Sequence, residues 1–382
     1  MNNINYLTRI LIDFGALSEL KNECALLGIH RPLVVTDTGI RSLGILSKLM
    51  DELTDLHVAV YDQTPSNPTE SAVLAAKALY LKHQADGIIA LGGGSSIDCA
   101  KGVAIMAVHP GELKDYATIE GGSSKITDRV PKIIAIPTTA GTGSEVARGA
   151  IVIVADGRKL GFHSWHLMPK VALLDPLLTL SLPPLLTAAT GMDAIAHCME
   201  TFMSSAFNPP ADGIALDGLE RGWRNIEKAC LNGDNKEARL QMMSASMQGA
   251  MAFQKGLGCV HSLSHSLGGI NPKLHHGTLN ALFLPSVVQF NQMDPTLQSQ
   301  NKMQRMAYAM GLGHPSNAGQ EVALAIKEMS QRLGLPRGLK DYGVKIEQFD
   351  AIISGAMKDH CHLTNPVIAK PEDYRDILRH SH

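Results

Sequence analysis

At 382 residues the chain is long enough for two domains, each with its own core. Hydrophobic residues make up 45% and charged residues 18%, and the formal charge of −2 argues against electrostatic capture of nucleic acid or of an anionic membrane surface. Six cysteines are scattered with no CxxC pair, which fits reduced thiols in a cytoplasm rather than a disulfide framework.

The chain begins MNNINYLTRILIDFG, without the basic start and unbroken apolar stretch of a signal peptide. Short β-branched runs predict strands at 32–36, 57–61, 87–91, 132–136, 150–154 and 171–174, none long enough to span a bilayer. Helical patterns lie between the first several, near 39–53, 69–84 and 96–108. Strand–helix alternation with near-continuous apolar strands predicts a mostly parallel sheet covered by helices on both faces. After DPLLTLSLPP the β-runs nearly vanish. Helical patterns follow at about 184–205, 211–230, 235–255, 259–269, 277–293, 301–311, 317–333 and 347–358. The expected division is an α/β domain over 1–180 and an all-helical domain over 181–382.

Within the first half, GGGSSIDCAK at 92–101 follows a strand and opens a helix. Gly92, Gly93, Gly94, Ser95 and Ser96 would let backbone approach a pyrophosphate at a helix N-terminus. The string is not the usual GxGxxG fingerprint, and a tight turn capped by Ser96 is the plain alternative. A second loop, PTTAGTGSE at 137–145, again follows an apolar strand, and Thr138, Thr139, Thr142 and Ser144 could line a nucleotide. Asp37 ends the first of these strands. Its carboxylate can bind adenine-ribose hydroxyls, favouring NAD over NADP, or simply cap the next helix; residues alone leave both readings open.

In the second half, GMDAIAHCME places Asp193 and His197 four apart, on one helical face. GLGCVHSLSHSLGG and LHHGTLN add His261, His265, His275 and His276, among which spacing does not choose. One carboxylate with three imidazoles suits Fe²⁺ or Zn²⁺ better than Ca²⁺ or Mg²⁺. Ser262 after His261 removes the HExxH hydrolase pattern. Glu200, seven residues past Asp193, either orients a ligand from behind or is a surface charge.

GGGSSIDCAK, PTTAGTGSE, LLDPLLTLSLPP, GMDAIAHCMET, GCVHSLSHSLGG and HHGTLNALFLPSVVQFN, in this order over residues 32 to 291, resemble the motifs of the iron-containing (group III) alcohol dehydrogenases. The resemblance implies a Rossmann-like dinucleotide domain packed against an all-α metal domain in the dehydroquinate synthase-like fold. It implies NAD and Fe²⁺ as cofactors, with Zn²⁺ as the other candidate ion. Metal ligands would be Asp193, His197, His261 and His276, with His265 assisting proton transfer. Asp37, Asn67, residues 92–96, Thr138, Thr139, Thr142, Ser144 and Lys159 match cofactor positions, and DHCHLTNP at 359–366 matches a segment that approaches the active site. A homodimer or larger homo-oligomer is expected in the cytoplasm, with no nucleic acid or membrane partner.

Further strings, among them TPSNPTE, YATIEGGS, GRKLGFHSWHLMPK and FNPPADGIALDGLERGW, resemble the branch that acts on 4-hydroxybutyrate and succinate semialdehyde. Such an ω-hydroxy acid needs a partner for its carboxylate. Lys255, six residues before His261, is the leading candidate, with a solvated helix-end charge as the plain reading. His163, Trp165 and His362 could supply further donors, and Gly149 could leave room. Two alternatives stand beside this: a relative acting on another short-chain alcohol or diol, and a metal- and nucleotide-binding sensor without turnover.

Overall fold

In the computed structural model, which describes residues 4–382, the short apolar runs become β1 (Arg9–Ile12), β2 (Pro32–Val35), β3 (Ala59–Tyr61), β4 (Gly87–Gly92), β5 (Lys132–Pro137), β6 (Gly149–Ile153), β7 (Lys159–His163) and β8 (Val171–Leu174). Six of them form one parallel sheet in the order β1-β8-β5-β4-β2-β3. β2, β4 and β8 are buried along their whole length, and successive side chains feed opposite faces. Leu33, Val35, Ile88, Ala90, Ile133 and Ala135 join one core with the helices Glu70–His83 and Gly94–Val108. Val34, Ile89, Leu91, Ile134 and Ile136 join the other with Leu20, Ile45 and Leu49. Both faces are therefore covered, as parallel sheets require.

From β2 the chain steps outward to β3 and then returns to the far side of β2 for β4. The winding reverses between β2 and β4, so the loops leaving their carboxyl ends flank the usual ligand position of such sheets. Those loops carry Asp37 and Gly92–Ser96.

Several elements depart from the sequence reading. The run 150–154 does not extend the parallel sheet: it becomes β6, paired antiparallel with β7 in a separate two-stranded ribbon. No helix follows it; Val154 N–H donates to Arg158 O at 2.9 Å, and Gly157, at φ 85°, closes a hairpin turn. The helix expected over 39–53 divides into Thr38–Ser42 and Ile45–Asp51, because Gly44 adopts φ 72°. β1, β7, the helix Leu20–Leu27 and the terminal helix Pro371–His380 were too short or too polar to register as periodic patterns.

Beyond β8 the described residues contain helices and turns only. The helix Pro184–Met203 is buried continuously from Thr187 to Met203, which makes it the axis of the helical unit. Pro209–Leu231, Lys236–Met251 and His276–Asn291 pack on it. The chain divides into one unit of Tyr6–Thr139 with Gly143–Ser181, and another of Leu182–His382 with Ala140–Thr142, residue 4 and residue 5.

Candidate active site

In the sheet-containing unit, β4 ends at Gly92, whose φ of 140° is a conformation that side chains rarely take; a Cβ there would meet Ser96 Oγ at 2.6 Å. The following helix, Gly94–Val108, has Gly93 at its cap and no side-chain cap, so its leading N–H groups remain available to an anion. Thr138 N–H donates to Gly92 O at 3.0 Å, and Thr139 packs on Gly93, which joins the two predicted loops. Asp37 does cap its helix, accepting from Ile40 N–H at 3.0 Å, and also accepts from Ser96 Oγ at 3.1 Å. Lys159 Nζ donates to Asn67 Oδ1 at 2.9 Å, and burial lowers the lysine's pKa.

A network absent from the sequence reading fixes the loop after β5. Lys101, wholly buried, donates to Ser144 O, Ser144 Oγ, Ala147 O and Gly149 O at 2.7–3.0 Å. Burial brings its ammonium down to about 8, against the pull of Asp98 and Glu145. Asp98 accepts from Ser144 Oγ at 2.6 Å and Ile151 N–H at 3.0 Å. Burial pushes its carboxyl up, with Lys101 and these donors opposing. Both residues stand inside GGGSSIDCAK, yet nothing in that string names their partners. The Ser144 hydroxyl is thereby engaged in holding the loop.

At one end of the ribbon Gly149 pairs with His163. The imidazole lies flat against Gly149 and Gly161, and its Nδ1 is 2.9 Å from Thr118 Oγ1. Beside it the Arg148 guanidinium stacks 4.8 Å above the Trp165 ring, and burial lowers its pKa. Arg148 was not anticipated; an isolated arginine in a loop carries no sequence signal.

In the helical unit, Asp193 and His197 share a face of Pro184–Met203, His261 comes from the helix Cys259–Ile270, and His276 opens His276–Asn291. Gly277 sets the last approach: a Cβ would strike Ala189 O at 2.1 Å, so only glycine lets this helix lie flush on the first. Asp193 Oδ1 is 3.5 Å from His197 Nε2 and 3.7 Å from Nε2 of both His261 and His276. A tetrahedral ion with bonds of about 2.0–2.2 Å has donor–donor edges of about 3.3–3.6 Å, close to these separations.

The far nitrogens are held. His197 Nδ1 donates to Gly141 O at 3.2 Å, and His261 Nδ1 bonds to Glu200. Glu200 also accepts from Val260 N–H at 2.8 Å and is buried, so it is an orienting carboxylate rather than a surface charge. Each Nε2 lone pair is thus turned toward Asp193. The Asn280 amide donates into the same space, 2.7 Å from Asp193 Oδ1, 3.1 Å from His261 Nε2 and 3.2 Å from His276 Nε2. Its own Oδ1 is buried without a partner.

The electrostatics ask for positive charge. Burial works against the Asp193 carboxylate, but His197, His261 and His276 outweigh it and hold the carboxyl well below its usual range. Burial lowers His197 to about 4 despite Asp193. Burial also works against His261 charging, yet Glu200 and Asp193 raise it to about 9. Two buried carboxylates around convergent imidazoles fit a divalent cation.

His265 stacks on His276 with ring centroids 5.3 Å apart, and its Nδ1 is 3.0 Å from Asp359 Oδ2. Two expected substrate residues are engaged within the protein. Lys255 has a wholly buried side chain that pairs with Asp212 and reaches Phe202 O at 3.4 Å. Lys302 Nζ joins it at 2.6 Å, so two cations cap the C-terminus of Pro184–Met203, where the helix dipole favours them. His362 is buried with Nδ1 3.0 Å from Tyr374 OH. Both side chains are buried against protein partners.

Residues 8–176 match the iron-containing alcohol dehydrogenase family, and residues 187–382 match that family's C-terminal domain. The chain is 60% identical to 4-hydroxybutyrate dehydrogenase of Cupriavidus necator over 382 residues, 99% of each chain. Among solved structures, 1,3-propanediol oxidoreductase superimposes with a TM-score of 0.94 at 34% identity, covering 100% of both chains. Sulfoacetaldehyde reductase from Bifidobacterium kashiwanohense, in complex with NAD⁺, gives 0.90 at 27% identity over 100% of this chain and 98% of that one. Both halves of the chain, matched in order and nearly end to end, make it a member of the iron-containing alcohol dehydrogenase family and an NAD-linked alcohol dehydrogenase.

Proposed function

We propose that this dehydrogenase interconverts 4-hydroxybutyrate and succinate semialdehyde. The observation that carries the reading is the 60% identity to the Cupriavidus necator enzyme over 99% of both chains. Asp193, His197, His261 and His276 would hold Fe²⁺, and the same donors would accept Zn²⁺. A bound ion would supply Lewis acidity toward the substrate hydroxyl near neutral pH, and NAD would supply the hydride acceptor.

The chain's own groups do the rest. Glu200 and Gly141 O fix the imidazole tautomers from behind. His265, with 21% of its side chain exposed and Asp359 on Nδ1, receives the hydroxyl proton and passes it to solvent. Residues 92–96, Thr138, Thr139, Thr142, Asn67 and Lys159 would hold NAD, with Asp37 on the adenine ribose. At the Gly149–His163 end of the ribbon, His163, Arg148 and Trp165 offer a donor and a positive charge to the substrate carboxylate.

The proposal extends to a cytoplasmic homodimer or larger homo-oligomer. Six free cysteines support the reducing compartment, and among the described residues no helix is long and apolar enough to cross a membrane. The test is NADH absorbance with 4-hydroxybutyrate, butan-1-ol and propane-1,3-diol. The acid should have the higher kcat/KM, by about tenfold or more, because a site built for a charged group rejects analogues lacking it. Equal values would overturn the substrate assignment.

A further inference from the structure

The turn that begins at Asp359 sets three metal-binding side chains in a row, Asp359, His360 and Cys361, against the Cys259–Ile270 helix. Cys361 N–H donates to Asp359 Oδ1 at 2.8 Å, which fixes the turn before any ion is considered. His265 Nδ1, an Asp359 oxygen and Cys361 Sγ all lie within 4.8 Å of one another. His360 approaches the same group, with Nε2 3.5 Å from Cys361 Sγ and Nδ1 3.8 Å from Asp359 Oδ1. With the 3.0 Å between His265 Nδ1 and Asp359 Oδ2, three donors converge, one atom from each residue, while His360 turns Nε2 toward the sulfur and Nδ1 toward Asp359 and so lies beside the group rather than in it.

We propose that His265, Asp359 and Cys361, with His360 positioning the Cys361 sulfur, form a second divalent-metal site, separate from the Asp193 set and selective for Zn²⁺. A thiolate with imidazole and carboxylate is a borderline-soft donor set, which prefers zinc to ferrous iron. Binding forms the Zn–S bond as the Cys361 proton leaves to solvent, with no change of oxidation state.

The site acts on turnover through His265. Its ring stands in a stack, 5.3 Å from His276 at 11° on one side and 6.0 Å from His360 at 23° on the other. An ion on Nδ1 displaces the Asp359 hydrogen bond and ties down the imidazole. Zinc therefore inhibits the enzyme while iron stays on the Asp193 set.

Iron-loaded enzyme titrated with Co²⁺ provides the direct readout. The Asp193 set contains only nitrogen and oxygen donors, so a near-ultraviolet thiolate-to-cobalt charge-transfer band reports the second site alone. The expected result is a band that saturates at one cobalt per chain with iron retained, is displaced by Zn²⁺, and is abolished in Cys361→Ser. His360→Gln should weaken the cobalt affinity by roughly tenfold. Zinc inhibition should disappear in Cys361→Ser, measured against that variant's own zinc-free rate. Absence of the band, its persistence in Cys361→Ser, or zinc inhibition that tracks loss of iron would overturn the proposal. The His360→Gln titration decides the matter independently if the cysteine variant does not fold.

Discussion

The two units position chemistry by opposite means. In the sheet-containing unit the groups proposed to face the cofactor are loop backbone and short hydroxyls at strand ends, braced by the buried Asp98 and Lys101. In the helical unit the groups proposed to hold the metal are side chains on helix faces, with His261 held from behind by Glu200 and His197 by Gly141 O. Backbone sites tolerate varied side chains but depend on the charge that braces the loop. Side-chain sites depend on identity at each ligand and on close helix approach, as at Gly277.

The largest effect should come from a ligand itself. Asp193→Asn removes the one anionic donor at the point where three Nε2 atoms converge. Bound iron should be lost and NAD-linked turnover should fall by roughly a thousandfold or more, as several kcal/mol of Lewis-acid stabilisation disappear. Metal content by atomic absorption checks the first part. Iron retained at full stoichiometry would remove Asp193 from the set.

Glu200→Gln and Lys101→Met form a paired test of the two strategies. The first should reduce metal affinity by about 10–100-fold and leave KM for NAD unchanged. The second should raise KM for NAD, keep metal content intact, and destabilise the fold by about 2–4 kcal/mol, since Asp98 is left buried without its counter-charge. If both variants shifted the same parameter, the separation of roles between the units would fail.

The same contrast governs what the sequence could reveal. The two loops were legible because glycine and hydroxyl clusters after apolar strands have few other uses. Asp193 and His197 were legible because a helix repeats its face every turn. The choice among His261, His265, His275 and His276 was not, because it depends on how three helices cross, which Gly277 controls and local spacing does not encode. Lys255 shows the hazard of proximity: six residues from His261, it folds back through the turn Ala252–Lys255 to cap another helix. Lys101, Arg148 and Asn280 passed unnoticed because their partners lie far away in sequence.

Thermal stability against pH sharpens the account of the helical unit. In metal-free protein His261 is raised to about 9 from 6.5, so its contribution is complete below 6.5 and is lost as pH rises through 9. His197 is lowered to about 4, so its contribution is present above 6.5 and is lost as pH falls toward 4. The two slopes oppose each other, giving highest stability near pH 6.5 to 7 from this pair. Loading with iron should flatten the alkaline slope, because a coordinated His261 has no proton to lose. A Tm series with and without metal measures both limbs, and an identical alkaline slope in the two forms would exclude His261 as a ligand.

The smallest effect concerns Asp37, where two roles share one carboxylate. It caps the helix Thr38–Ser42 and accepts from Ser96, yet each oxygen has a second lone pair for a ribose hydroxyl. Asp37→Asn separates the roles, because an amide oxygen can still cap while the negative charge is gone. If the charge is what rejects a 2′-phosphate, this variant should keep its Tm and gain several-fold in kcat/KM with NADP relative to NAD. Asp37→Ala should lose the cap as well, at about 1 kcal/mol. An unchanged NADP:NAD ratio in both variants would leave Asp37 as a cap alone and move cofactor choice to another residue of the β2–β4 crevice.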